Sequence, residues 1–138
     1  MGIIVMAAAV ILLIVSGLHV FWAFGGRWGE LAAVPEKAGG GLAFKPGPLE
    51  TAAVAVLILV ACYFLLAEGE LLSALHTNAL TEWGSILCAI VFGIRTIGDF
   101  RYVGFFKRYK RSRFAKCDTW FYSPLCLFLA AAFVVALQ

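Results

Sequence analysis

Four stretches lack the alternation of apolar and polar positions that a water-exposed surface imposes. Ile3 to Phe24, Leu49 to Ala67, Trp83 to about Asp99, and Thr119 to Leu137 are apolar nearly all the way round. A hydrocarbon core is crossed by about 20 mainly apolar residues in helical form, because a helix satisfies its backbone N–H and C=O groups within one segment. The pattern therefore predicts an all-α fold: a four-helix transmembrane bundle forming a single domain over residues 1–138.

Composition agrees with this reading. Of 138 residues, 63% are hydrophobic and only 14% are charged, too few to clothe a soluble domain of this size. The first span carries no basic n-region and is followed by Gly25-Gly26-Arg27 rather than a small-x-small cleavage site, so it is expected to be retained. Met6 stands where a myristoylation signal needs Ser or Thr.

Charge adds a direction. Arg27, Lys37 and Lys45 fall in the first connection, and Arg101, Lys107, Arg108, Lys110, Arg111, Arg113 and Lys116 in the third. Arg95 lies just inside the third span, and the second connection holds Glu68, Glu70 and Glu82. By the positive-inside rule, connections one and three are expected in the cytoplasm and both termini outside, in a multi-pass protein of the inner (plasma) membrane. The cluster Lys107, Arg108, Lys110, Arg111 and Arg113 is expected to rest among anionic lipid headgroups, each cation worth about 1 kcal/mol near a charged surface. Because the cluster abuts a span, that partner is preferred to nucleic acid.

Polar residues inside spans are costly and so attract a functional reading. In Phe92 to Lys107, FGIRTIGDFRYVGFFK, a continuous helix puts Arg95, Asp99, Tyr102 and Phe106 on one face, with Arg95 and Asp99 one turn apart and able to pair. The following FRYVGFFKRYKRSRFAKCDTW has the spacing of an amphipathic helix lying in the interface. His19 lies in the same half of span one, Glu50 opens span two, and Asp118, Tyr122 and Ser123 open span four, Asp118 as a cap and Pro124 within the first turns. All four spans thus offer polar side chains at one depth, which predicts a cytoplasm-facing pocket.

Other chemistry is poorly supported. The two histidines fall on opposite sides of the membrane and no CxxC or HxxxH occurs, so no metal or other cofactor is expected. Cys62, Cys88 and Cys126 lie in spans and Cys117 in a basic connection, which predicts free thiols. Gly39 to Gly41 lacks the Lys and Ser or Thr of a phosphate loop.

Three phrases taken together, GLHVFWAFGGRWG, IRTIGDFRYVGFFKR and FAKCDTWFYSPLCL, resemble a family of small bacterial four-span membrane proteins classed as a domain of unknown function. The resemblance implies the integral four-helix fold and no catalytic residues. On the residues themselves the favoured function is binding or transport of a small anionic molecule or lipid headgroup by His19, Glu50, Arg95, Asp99, Tyr102, Asp118, Tyr122 and Ser123, with a homodimer as the way to enlarge so small a unit. A membrane enzyme acting on a lipid, or a scaffold whose polar groups only fasten helices together, are the alternatives.

Overall fold

The computed structural model describes residues 1–37, 39, 41–72, 74–108 and 110–138, and for residues 30 and 31 the backbone. It is all-helical: α1 (Gly2–Ala23), a short α2 (Glu30–Ala33), α3 (Pro48–Glu68), α4 (Ala79–Ile97), and α5 (Arg113–Cys117) running through a π-helical turn (Asp118–Tyr122) into α6 (Ser123–Ala136). Among the described residues the nearest thing to a strand is one isolated antiparallel pairing of Glu36 with Leu42. Four rods, α1, α3, α4 and the continuous Arg113–Ala136 segment, are long and apolar enough to cross a membrane.

Local chemistry sets where the rods begin. Pro48 opens α3, where its missing N–H is harmless, and Glu50 sits in the favourable first turn. α4 starts ahead of the expected Trp83 because Asn78 Oδ1 accepts the N–H groups of Leu80 and Thr81, while Thr81 Oγ1 accepts the Asn78 N–H. The Thr81 hydroxyl also meets the Glu68 carboxylate, tying the end of α3 to the start of α4.

The last span corrects the sequence reading. Its cap is Ser112, whose Oγ accepts the Ala115 N–H at 3.0 Å, so the helix begins at Arg113 and Asp118 lies inside it rather than at its mouth. Pro124 is therefore internal. A proline there lacks a donor and its ring crowds the carbonyl four residues back. The π turn directly upstream, closed by the Ser123 N–H on the Asp118 carbonyl, loosens the winding at that place.

α4 also ends differently. It stops at Ile97, and Gly98 turns away with φ 89°. The described residues between α4 and α5 form a folded loop, not the expected amphipathic helix. Gly98 and Gly104 (φ 87°) lie back to back in that loop: a Cβ on Gly98 would run into the Val103 backbone, and one on Gly104 into the Ile97 carbonyl. Only glycine combines the positive φ with so close an approach.

The rods form a ring, with α1 on α3, α3 on α4, α4 on α6, and α6 closing on α1. Small residues let the backbones draw together. Ala8, Ala9, Ala55, Ala61, Ala132 and Ala136 are buried, as are Val5, Leu12, Leu65, Leu129 and Phe133. Along the α1–α3 seam, Ser16 donates to the Ala55 carbonyl at 2.9 Å and Cys62 Sγ lies 3.7 Å from the Ala9 carbonyl, an antiparallel register. Leu13, Ile14, Val56, Leu57, Leu87, Ile90 and Val91 point outward and are exposed, which suits lipid and would be untenable in water. The up-and-down order gathers the first and third connections at one end, with every Lys and Arg of the chain, and the acidic connection at the other.

Candidate functional site

At the basic end the polar side chains fall into two groups. The first is built around Asp118, fully buried in the π turn. Its Oδ1 accepts Arg95 Nη2 from α4 at 2.8 Å. Its Oδ2 accepts Lys107 Nζ at 2.8 Å and the Gly104 N–H at 2.7 Å, both from the loop. Lys107 is as buried as its partner. Its three ammonium protons are matched by three acceptors: Asp118 Oδ2, the Gly104 carbonyl at 2.9 Å and Thr119 Oγ1 at 2.7 Å. Thr119 in turn donates to the Ala115 carbonyl. A buried ion pair is tolerable only when the remaining lone pairs and protons are satisfied, and that condition is met for Lys107 and Asp118. The Arg95 side chain is a third exposed, and its Nη1 is buried without a hydrogen-bond partner among the described residues.

Arg95 and Asp99 do not pair, because the chain turns at Gly98 and carries Asp99 off the helix face. Asp99 is instead exposed, its Oδ1 accepting the N–H groups of Arg101, Tyr102 and Val103 at 2.8 to 2.9 Å. Partial desolvation pushes its pKa up, but those backbone donors outweigh it and hold the carboxyl below the ordinary aspartate value. Tyr102 lies under the Arg101 guanidinium, 5.3 Å from ring centre to Cζ. Tyr122 donates to the Ala32 carbonyl at 3.0 Å and so pins the short α2 to the last span. Ser123 is fully buried, and its hydroxyl has no hydrogen-bond partner among the described residues.

The second group lines an open cleft of about 1080 Å³ between the end of α1, the start of α3 and the connection joining them. His19 and Glu50 lie on its wall, together with Arg27 and Lys45. His19 Nδ1 is 2.8 Å from the Val15 carbonyl. A carbonyl only accepts, so Nδ1 carries the proton and Nε2 keeps its lone pair in the neutral ring. Trp22, Phe24 and Phe44 supply apolar wall. Arg95, Asp99, Tyr102, Asp118, Tyr122 and Ser123 are not among the residues lining this cleft.

Sequence reasoning missed Lys107 as an internal cation, Thr119 and Gly104 as its partners, and Arg27 and Lys45 as cleft residues. Gly98-Asp99 directly after an apolar helix is a stop signal that would have pointed to the loop. Among the described residues no three His, Cys, Asp or Glu side chains are grouped to hold a metal, and the four cysteines are free.

Four apolar rods fastened by an internal carboxylate–cation cluster define a small multi-pass helical-bundle membrane protein. Residues 12–133 match the family described as Protein of unknown function (DUF3995), and the chain belongs to that family. Comparison with curated proteins and with solved structures finds no match.

Proposed function

We propose that the protein sits in the plasma membrane with connections one and three in the cytoplasm, and that the cleft between α1 and α3 binds a small anionic molecule or the headgroup of an anionic lipid. The supporting observation is the chemistry of the cleft wall. Arg27 and Lys45 are exposed there, and neither forms an ion pair among the described residues. Aromatic side chains beside them suit an aliphatic portion of the same ligand. Binding is favoured over transport by a single chain, because Val5, Leu12, Leu65, Leu129 and Phe133 fill the bundle beyond the cleft. The Lys107–Asp118 pair, satisfied internally, fits the scaffold role that the sequence left open.

The test is ligand-dependent thermal stabilisation of the purified full chain in detergent, with glycerol phosphate as the soluble probe and phosphatidylglycerol or phosphatidylcholine in mixed micelles. Stabilisation by phosphatidylglycerol alone identifies a lipid headgroup, and stabilisation by glycerol phosphate as well identifies a free anion. Losing a charge-assisted hydrogen bond is worth about 1.5–3 kcal/mol, so R27Q/K45Q is expected to weaken binding at least tenfold. Equal stabilisation of wild type and R27Q/K45Q, or by phosphatidylcholine and phosphatidylglycerol alike, overturns the proposal.

A further inference from the structure

We infer that the α4–α5 loop and the first turns of the last span form a preorganised cationic platform for the anionic leaflet of the membrane the protein crosses. The inference rests on how the loop disposes of its charges. Seven basic residues lie between Phe100 and Cys117 and no acidic one does. Of the two flanking carboxylates, Asp118 is buried with Arg95, Lys107 and the Gly104 N–H, and the exposed Asp99 turns its Oδ1 onto three backbone N–H groups of the loop rather than onto a cation. Lys107 is withdrawn with Asp118. That leaves Arg101, Arg108, Lys110, Arg111, Arg113 and Lys116 exposed, and none forms a salt bridge among the described residues. Six exposed cations therefore face outward against one exposed carboxylate, Asp99, which pairs with none of them among the described residues.

Their neighbours say what kind of surface they meet. Phe106 is 63% exposed, Trp120 84% and Phe121 62%. Trp120 and Phe121 lie in the π turn near the basic end of a rod long and apolar enough to cross a membrane, where an indole suits the boundary between headgroups and acyl chains and a phenyl ring suits the acyl chains themselves. Cations beside aromatics at the end of a span match an anionic headgroup layer in both charge and depth. The loop is also held in shape by the Gly98–Gly104 contact, the Asp99 turn and the Lys107–Asp118 pair, so its cations are presented by a folded structure rather than a free tail.

Nanodiscs holding the full chain in a phosphatidylglycerol and phosphatidylcholine mixture test this. The readout is the fraction of phosphatidylglycerol retained with the protein after detergent extraction, measured by mass spectrometry. Wild type is expected to retain phosphatidylglycerol above its input share and to lose that preference as salt is raised. The variant R108Q/K110Q/R111Q is expected to reduce the preference by up to about fivefold per charge removed. R27Q/K45Q, which alters the cleft, is expected to remove at most the one headgroup the cleft holds and to leave the salt-sensitive remainder in place, so failure of the cleft reading and failure of this one are separable. K107Q is expected to lower the melting midpoint equally in either lipid. A preference indifferent to salt and to R108Q/K110Q/R111Q overturns the inference, as does one abolished by R27Q/K45Q alone. Co-purifying nucleic acid that disappears in R108Q/K110Q/R111Q, without any lipid preference, overturns it in favour of a different partner.

Discussion

Asp118 is the residue on which the basic end depends, because one buried carboxylate compensates two cations from two other elements. Removing it leaves the Lys107 ammonium buried without a counter-charge, a fault that costs about 3–5 kcal/mol in comparable pairs. Asp118→Ala is therefore expected to lower unfolding stability by that amount in detergent, measured by denaturant or thermal melts. Lys107→Met leaves Asp118 still bonded to Arg95 and the Gly104 N–H, so a smaller loss of about 1–3 kcal/mol is expected. Equal losses in the two variants would contradict the assignment of Asp118 as the shared centre. Asp99 makes a separate prediction with a definite sign. Its pKa is lower in the folded loop than in the unfolded chain, so its contribution is present above the ordinary aspartate range and is lost as pH falls through the depressed folded value. Proteolysis of the loop should accelerate on that acid side in wild type. Asp99→Asn, which does not titrate there, should flatten the dependence.

At the scale of elements, the loop that carries Lys107 to Asp118 is fixed by two glycines. Gly98→Ala and Gly104→Ala each force a side chain into the left-handed region against neighbouring backbone, and each is expected to cost about 1–3 kcal/mol. Gly93→Ala is the contrast. Gly93 is helical and a Cβ there would meet open space, so alanine is expected to stabilise α4 by about 0.5–1 kcal/mol. Melting the three variants side by side separates strain from a general effect of alanine. The same glycines show where the sequence could be read and where it could not. Four spans were legible because roughly twenty apolar residues in a row admit few other solutions. The face shared by Arg95 and Asp99 was not, since four-residue spacing means proximity only while the helix continues, and Gly98 ends it. Asp118 was expected to cap a span because it precedes an apolar run, whereas Ser112 provides the cap and the π turn takes Asp118 inside. Lys107 read as one more surface cation. Its burial follows from the fold of a loop whose contacts are non-local, which composition and periodicity do not encode.

For the whole molecule the open physical question is which way the bundle faces. All eleven basic side chains belong to one end of the ring and Glu68, Glu70 and Glu82 to the other, so the two possible insertions differ greatly in how much positive charge must cross the membrane. Translocating the basic end would carry the α4–α5 loop and the cleft cations across the hydrocarbon, whereas translocating the acidic end moves few charges and no Lys or Arg. The expected orientation has the Glu70 side facing out. Substituted-cysteine labelling of intact cells decides this once Cys117 is replaced by serine, because Cys62, Cys88 and Cys126 lie within the spans. A cysteine at His76 should react with a membrane-impermeant maleimide added outside, and one at Lys110 only after permeabilisation. The reverse pattern would put the cationic platform and the cleft against the outer leaflet, and both ligand proposals would then have to be sought among lipids and anions of that side. Introducing lysines into the acidic connection while removing Arg108, Lys110 and Arg111 should shift the labelling toward the inverted form, since the same charge asymmetry that sets the orientation is then weakened from both ends.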